Sequence, residues 1–162
     1  MITSDEGISF LKLREGFRAS AYKDQAGVWT IGYGTTSGVK PGDTITEERA
    51  LETLLIHVQR IEDFLRRVVT IPLQQNQYDA LVSFIYNVGE NAFQNSQIHQ
   101  MINHNCLSHI PYMMMRWKWV TINGQKVESL GLLDRREKEG YLWAIERTQP
   151  DNQSPLSTGR KE

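Results

Sequence analysis

One cysteine, Cys106, occurs in the 162 residues. A lone thiol excludes any disulfide within the chain and any cysteine-based metal cluster, and a chain of this length buries a core without either. Cys106 itself is expected as a small buried or half-buried residue. Surplus charge is missing too: 18 Lys and Arg against 19 Asp and Glu leave a net charge of −1. That balance marks no nucleic-acid binder and gives weak long-range steering toward any anionic partner, although Arg135, Arg136 and Lys138 form a local basic group. Residues 1–13 include Asp5, Glu6 and Lys12 and no apolar run, so no cleavable signal or signal-anchor is expected there, nor stable membrane insertion. Three of the four histidines, His99, His104 and His109, stand five apart, which puts successive rings on different helix faces. With His57 far upstream, neither a metal nor any other cofactor is expected.

What is present is an ordinary globular composition, 40% hydrophobic and 23% charged, suited to one domain or two small lobes. Thr3 with Glu6 reads as a capping box, so a helix is predicted from Ser4 or Asp5 to a stop at Gly16. On it Ile8, Leu11 and Glu15 share one face. A carboxyl among apolar side chains at the negative end of a helix favours its neutral form, which can donate a proton. An ordinary surface ion pair with Arg14, Arg18 or a distant Arg is the alternative.

Two short strands, about Ala19–Tyr22 and Val28–Tyr33, flank a polar turn that holds Asp24. Solvation there keeps Asp24 ionised. Alternation along the second strand sets Thr30 opposite Trp29, Ile31 and Tyr33, on a face with little bulk where a hydroxyl can hold water. Two carboxyls in contrasting environments suit glycoside hydrolysis, while turn chemistry and β-propensity explain Asp24 and Thr30 taken singly.

The pattern of Glu15, Asp24 and Thr30 within REGFRASAYKDQAGVWTIGYGTT resembles the phage-type lysozyme (endolysin) family, glycoside hydrolase family 24. QNQYDALVSFIYNVGENAFQNS from Gln75 and GLLDRREKEGYLW from Gly131 extend the likeness over most of residues 1–147. The resemblance implies a muramidase that cuts the β-1,4 bond between N-acetylmuramic acid and N-acetylglucosamine with inversion. Glu15 is then the general acid, and Asp24 and Thr30 handle the attacking water. It further implies that Thr36, Tyr86, Asn87 and Ser96 line the cleft or touch sugar, and that Arg135 supports Glu15. Core packing for Tyr86 and capping for Asn87 and Ser96 are the structural alternatives. Thr35 stands where family members commonly carry His.

The implied fold is α+β and mainly helical, lysozyme-like, with a small β-hairpin lobe and a larger helical lobe joined by a long helix. A single domain over 1–148 is expected. It comprises a hairpin lobe at about 16–46, a linking helix at about 47–69, and a helical lobe at about 74–148 that includes the N-terminal helix. Leu51, Leu54, Val58, Ile61, Leu65 and Val68 form the linking helix's apolar stripe, with His57 and Glu62 on its solvated side. Gln75 to Val88 reads as the central helix, ended by Gly89. Three methionines, Met113 to Met115, read as adaptable core. Asn123-Gly124 predicts a tight turn, and a last helix is expected from about Leu130 to Arg147. Residues 149–162 read as a disordered tail.

A lytic transglycosylase, which needs neither Asp24 nor Thr30, is the first rival, and a non-catalytic wall-binding module the second. The expected partner is the glycan strand of bacterial peptidoglycan, with nothing demanding more than a monomer. Without an export signal the protein is expected in the host bacterial cytoplasm. A separate membrane-permeabilising partner would then admit it to the periplasm or cell wall.

Overall fold

The computed structural model describes residues 1–24 and 26–145. The chain opens with α1 (Asp5–Glu15), whose N-cap is Ser4: its hydroxyl accepts from the Gly7 N–H at 3.1 Å. Thr3, expected to cap, instead gives its N–H and its hydroxyl to Glu62, both at 2.7 Å. Ser4 also donates from its N–H and hydroxyl to Asp79. Two buried carboxylates on separate helices thus fix where α1 begins. Gly16 ends it, its N–H returning to the Lys12 carbonyl.

A hairpin follows, β1 (Arg18–Lys23) against β2 (Trp29–Gly32), with Tyr22 opposite Thr30 and Lys23 opposite Trp29. Residues 43–45 extend it along the free edge of β1, the Ala21 N–H donating to Asp43 and the Ile45 N–H to Ala19. The turn after β2 closes through two backbone bonds between Ile31 and Thr35, at 2.8 and 2.9 Å. Any residue except proline at 35 can make those bonds, so the turn does not depend on a threonine or histidine side chain there.

Thr46 caps α2 (Glu47–Val68), accepting from the Arg49 N–H. This long helix joins the hairpin lobe to the helical lobe. Its predicted stripe is buried at Leu54, Val58, Ile61 and Leu65, with Ala50 and Phe64 added. Two residues assigned to its solvated side are not there. Glu62 is buried because Thr3 needs it, and His57 is half-buried against Tyr86.

Central to the helical lobe is α3 (Gln75–Val88), buried at Ala80, Leu81, Val82, Phe84 and Ile85. Leu81, Val82, Phe84 and Ile85 each contribute about 1.5–3 kcal/mol by leaving water. Short helices α4 (Glu90–Gln94), α5 (Gln97–Asn103) and α6 (Ile110–Met115) complete one wall. Met114 is core while Met113 and Met115 are half-buried. Cys106, expected at least half-buried, is exposed, in the loop ahead of α6.

A second hairpin, β3 (Trp119–Ile122) and β4 (Gln125–Glu128), turns at Asn123-Gly124, both at positive φ. The last helix, α7 (Leu130–Ala144), packs on α3 and α6. Its Glu137, Tyr141 and Ala144 face solvent, whereas Arg135, Arg136, Glu139, Gly140 and Trp143 are buried. Asn76 closes its C-terminus, donating to the carbonyls of Leu142, Trp143 and Ile145 that the helix leaves unpaired. The end expected near Arg147 and the tail expected at 149–162 lie outside the described residues. Among the described residues, no helix is long and apolar enough to cross a membrane.

Candidate active site

Glu15 is the last residue of α1, aimed at the place where the hairpin, α3 and α7 meet. Its Oε1 lies 2.8 Å from Arg135 Nη1, with the two side chains only 15% and 9% exposed. Oε1 makes no aligned hydrogen bond, so the pair is held as two charges in contact. The carboxyl that the helix pattern set on an apolar face therefore rests against a guanidinium.

The other oxygen, Oε2, borders Gly34. That glycine has φ +88°, and a Cβ there would sit 3.3 Å from Oε2. Glycine is required both by the backbone and by the approach of the hairpin to the carboxyl. One oxygen of Glu15 is thus occupied, and the other faces a residue without a side chain.

Arg135 is itself anchored. Its Nε lies 3.0 Å from Glu139 Oε1 and its Nη2 donates to the Ser83 carbonyl at 3.0 Å. Glu139, fully buried, also accepts from the Ser83 hydroxyl at 2.8 Å and meets Arg136 Nε at 2.8 Å. Arg136 in turn donates to Asn87 Oδ1 at 3.0 Å and lies over the Phe84 ring. The sequence reading missed Ser83 and Glu139. Glu139 stands four residues after Arg135 and three after Arg136, the helix spacing that pairs opposite charges, and that signal was available.

Tyr86 links the lobes. Its hydroxyl donates to the Tyr33 carbonyl at 2.8 Å, in the hairpin turn next to Gly34, and His57 from α2 packs on its ring at 4.3 Å between centroids. Burial, and then the Glu15 carboxylate, push the Tyr86 hydroxyl upward, so it remains a donor. Burial, helped by Arg60, pushes the His57 imidazole below its ordinary value of 6.5.

Across the hairpin, Asp24 and Thr30 converge on one residue. Asp24 Oδ1 accepts from the N–H groups of Ala26 and Val28, at 2.9 and 2.8 Å, and the Thr30 hydroxyl donates to the Val28 carbonyl at 3.1 Å. Thr30 is 4% exposed and Asp24 half-buried. The proton of Thr30 is committed, leaving its oxygen as an acceptor; Asp24 keeps Oδ2 unbonded among the described residues.

The remaining positions divide. Thr36 is exposed in the loop after Thr35, its carbonyl accepting from Val39. Ser96 is 6% exposed and caps α5, donating to the Phe93 carbonyl and accepting from the His99 N–H. The capping role given as the structural alternative is thus formed, and one acceptor lone pair of the hydroxyl is left over. Glu15 meets Arg135 directly, Asn87 joins the same network through Arg136 and Glu139, and Tyr86 meets the hairpin at Tyr33 beside Gly34. Among the described residues, no group of three or more His, Cys, Asp or Glu is placed to hold a metal.

Comparison with known proteins bears on the family and the fold. The family model described as phage lysozyme matches residues 12–139. An endolysin of Acyrthosiphon pisum secondary endosymbiont phage 1 is 36% identical, the alignment covering 88% of this chain and 98% of that one. Among solved structures, an endolysin from Escherichia coli O157:H7 phage FAHEc1 superposes with TM-score 0.84 at 37% identity, over 89% of this chain and 94% of that one. The muramidase domain of SpmX from Asticaccaulis excentricus gives 0.82 at 34% identity, over 88% and 97%.

Proposed function

Because this chain belongs to the phage lysozyme family and is a peptidoglycan-degrading muramidase, we propose that it cleaves its β-1,4 glycosidic bond with inversion, Glu15 serving as acid and Asp24 with Thr30 holding the attacking water. The bond cut joins N-acetylmuramic acid to N-acetylglucosamine. Glu15 gives a proton to the departing oxygen as the bond to the anomeric carbon breaks. Oε2, beside Gly34, is the oxygen with room to do so, while Arg135 fixes Oε1. Water adds to the opposite face of the ring, and its proton passes to Asp24.

The shared use of Val28 carries this reading. Asp24 takes its N–H and Thr30 its carbonyl, which holds a carboxylate and a hydroxyl oxygen in fixed relation. A water that donates one hydrogen to Thr30 Oγ1 and the other to Asp24 Oδ2 keeps a lone pair free for attack. Thr36, Tyr86, Asn87 and Ser96 are the candidates for contact with the sugars. Ser83, Glu139 and Arg136 act behind Arg135, as positioning residues. Every group named is supplied by one chain, so a monomer suffices in this reading. In this reading it acts from a host cytoplasmic store, once a separate membrane-permeabilising agent opens the way to the wall.

The test is to digest purified peptidoglycan and identify the released ends by mass spectrometry. Reducing muramic ends are expected, together with loss of turnover in a folded Glu15→Gln. Anhydro-muramic ends would make the enzyme a transglycosylase and remove the water from the mechanism.

A further inference from the structure

The second hairpin takes no part in the site described above, yet its surface is unusual. A shallow pocket of about 420 Å³ is lined by Tyr112, Met115, Arg116, Lys118, Trp119 and Lys126. Register explains the hairpin's share: pairing of Trp119 with Glu128 and of Thr121 with Lys126 puts all four side chains on one face. Two aromatic side chains stand open, Tyr112 at 70% and Trp119 at 47% exposure. Apolar area of this kind on a soluble protein marks a contact surface when it is gathered in one place.

Charge selects the partner. Three of the six lining residues are cationic and none is acidic, on a chain whose net charge is only −1. Lys118 is neutralised by Glu128 at 2.9 Å, and its ammonium lies over the Trp119 ring. Arg116 and Lys126 make no ion pair among the described residues, so two positive charges flank two aromatic platforms. That combination fits an anionic saccharide: a sugar ring lies on an aromatic face, while carboxylates meet the cations.

We propose that this pocket is a second peptidoglycan site, separate from the residues around Glu15, which takes a hexosamine ring on Trp119 and Tyr112 and stem-peptide carboxylates on Arg116 and Lys126. The proposal rests on the peptidoglycan reading above. Two sites on one polymer raise the effective concentration of each for the other, so the pocket holds the enzyme on an insoluble wall without changing the chemical step. A short soluble oligosaccharide, too small to span both, gains nothing from it.

Two measurements on the whole chain test this. Sedimentation with purified sacculi, in a Glu15→Gln background that prevents digestion, compares the parent with Trp119→Ala, Tyr112→Ala and Lys126→Glu. Hydrolysis of a soluble peptidoglycan tetrasaccharide is followed for the same three substitutions with Glu15 intact. Each is expected to weaken sacculus binding about tenfold, the loss of one aromatic or charged contact, with tetrasaccharide kcat/KM unchanged. Removing stem peptides with an amidase should erase the Lys126→Glu penalty. Unchanged sacculus binding overturns the proposal, as does a parallel loss of tetrasaccharide hydrolysis or a Lys126→Glu penalty that survives the amidase. Tyr112 lies on α6, so its variant tests the pocket even if changes within the hairpin unfold it. A concentration-dependent dimer abolished by Trp119→Ala would assign the face to self-association instead. A wild-type chain that leaves the tetrasaccharide uncleaved refutes the peptidoglycan reading itself, a separate failure.

Discussion

Glu139→Gln is the most demanding perturbation of the site's support. Glu139 has no exposed surface and lies against both Arg135 and Arg136, with the Ser83 hydroxyl donating to it. An amide keeps the shape and one acceptor oxygen, but it leaves two buried guanidinium groups facing a neutral side chain. Removing one partner of a buried ion pair costs about 3–5 kcal/mol. Set against a total stability of about 5–15 kcal/mol, that loss lowers the melting midpoint by roughly 6–20 °C in a protein of this size. Glu137→Gln, an exposed change on the same helix, is the control and should stay within about 0.5 kcal/mol. Calorimetry and urea unfolding of the two variants give the comparison. Below its own melting point, Glu139→Gln should also show a reduced kcat with little change in KM, because Arg135 loses the group that orients it at Glu15. Equal midpoints for the two variants would refute the buried network as a source of stability.

Three further outcomes follow from the geometry. Thr30→Val and Asp24→Asn should each cut hydrolysis sharply, and the double variant should lose little more than either alone, since both serve one water; fully multiplicative losses in kcat would separate their roles. Gly34→Ala places a Cβ at φ +88° and 3.3 Å from Glu15 Oε2, so it should destabilise by about 1–2 kcal/mol and impair turnover, and near wild-type values in both assays would contradict the close approach. His57, facing Tyr86, Arg60 and Glu90, has its imidazole pushed down by burial. Its contribution to stability is therefore intact above the unfolded value of 6.5 and is lost as pH falls below it, because the unfolded chain takes up the proton more readily. Melting curves from pH 7.5 to 5 should slope less steeply for His57→Gln, and identical slopes would exclude His57 as a source of that dependence.

Elements fixed by local chemistry were legible in the sequence, and groups fixed by distant partners were not. Gly89 ends α3, and the stripe from Leu54 to Leu65 matches the buried face of α2, because breakers and periodicity act within a few residues. Asn123-Gly124 turns the second hairpin by the same local logic. Thr3 looked like the first helix cap, yet Glu62, fifty-nine residues away, claims it and leaves the cap to Ser4. Glu62 and His57 looked solvated since a helix pattern alone cannot show what comes to cover its polar side. At the site, Glu15, Asp24 and Thr30 drew notice as polar groups on separate elements and as a family pattern. The dependence of two of them on the backbone of Val28 has no signature in spacing, because it arises from the closed turn. Ser83 was hidden in an apolar helix, where a serine reads as filler until a buried carboxylate and guanidinium are brought to it.

The central claim is that water, held by Asp24 and Thr30 on the face opposite Glu15, attacks the anomeric carbon directly. Proton NMR of the wild-type enzyme acting on a soluble peptidoglycan oligosaccharide, recorded before the products mutarotate, reads the configuration of the new reducing end. The α-anomer of the N-acetylmuramic acid end should appear first, with the β-anomer growing in later by mutarotation. Initial release of the β-anomer would mean retention through a second displacement, and would contradict the account.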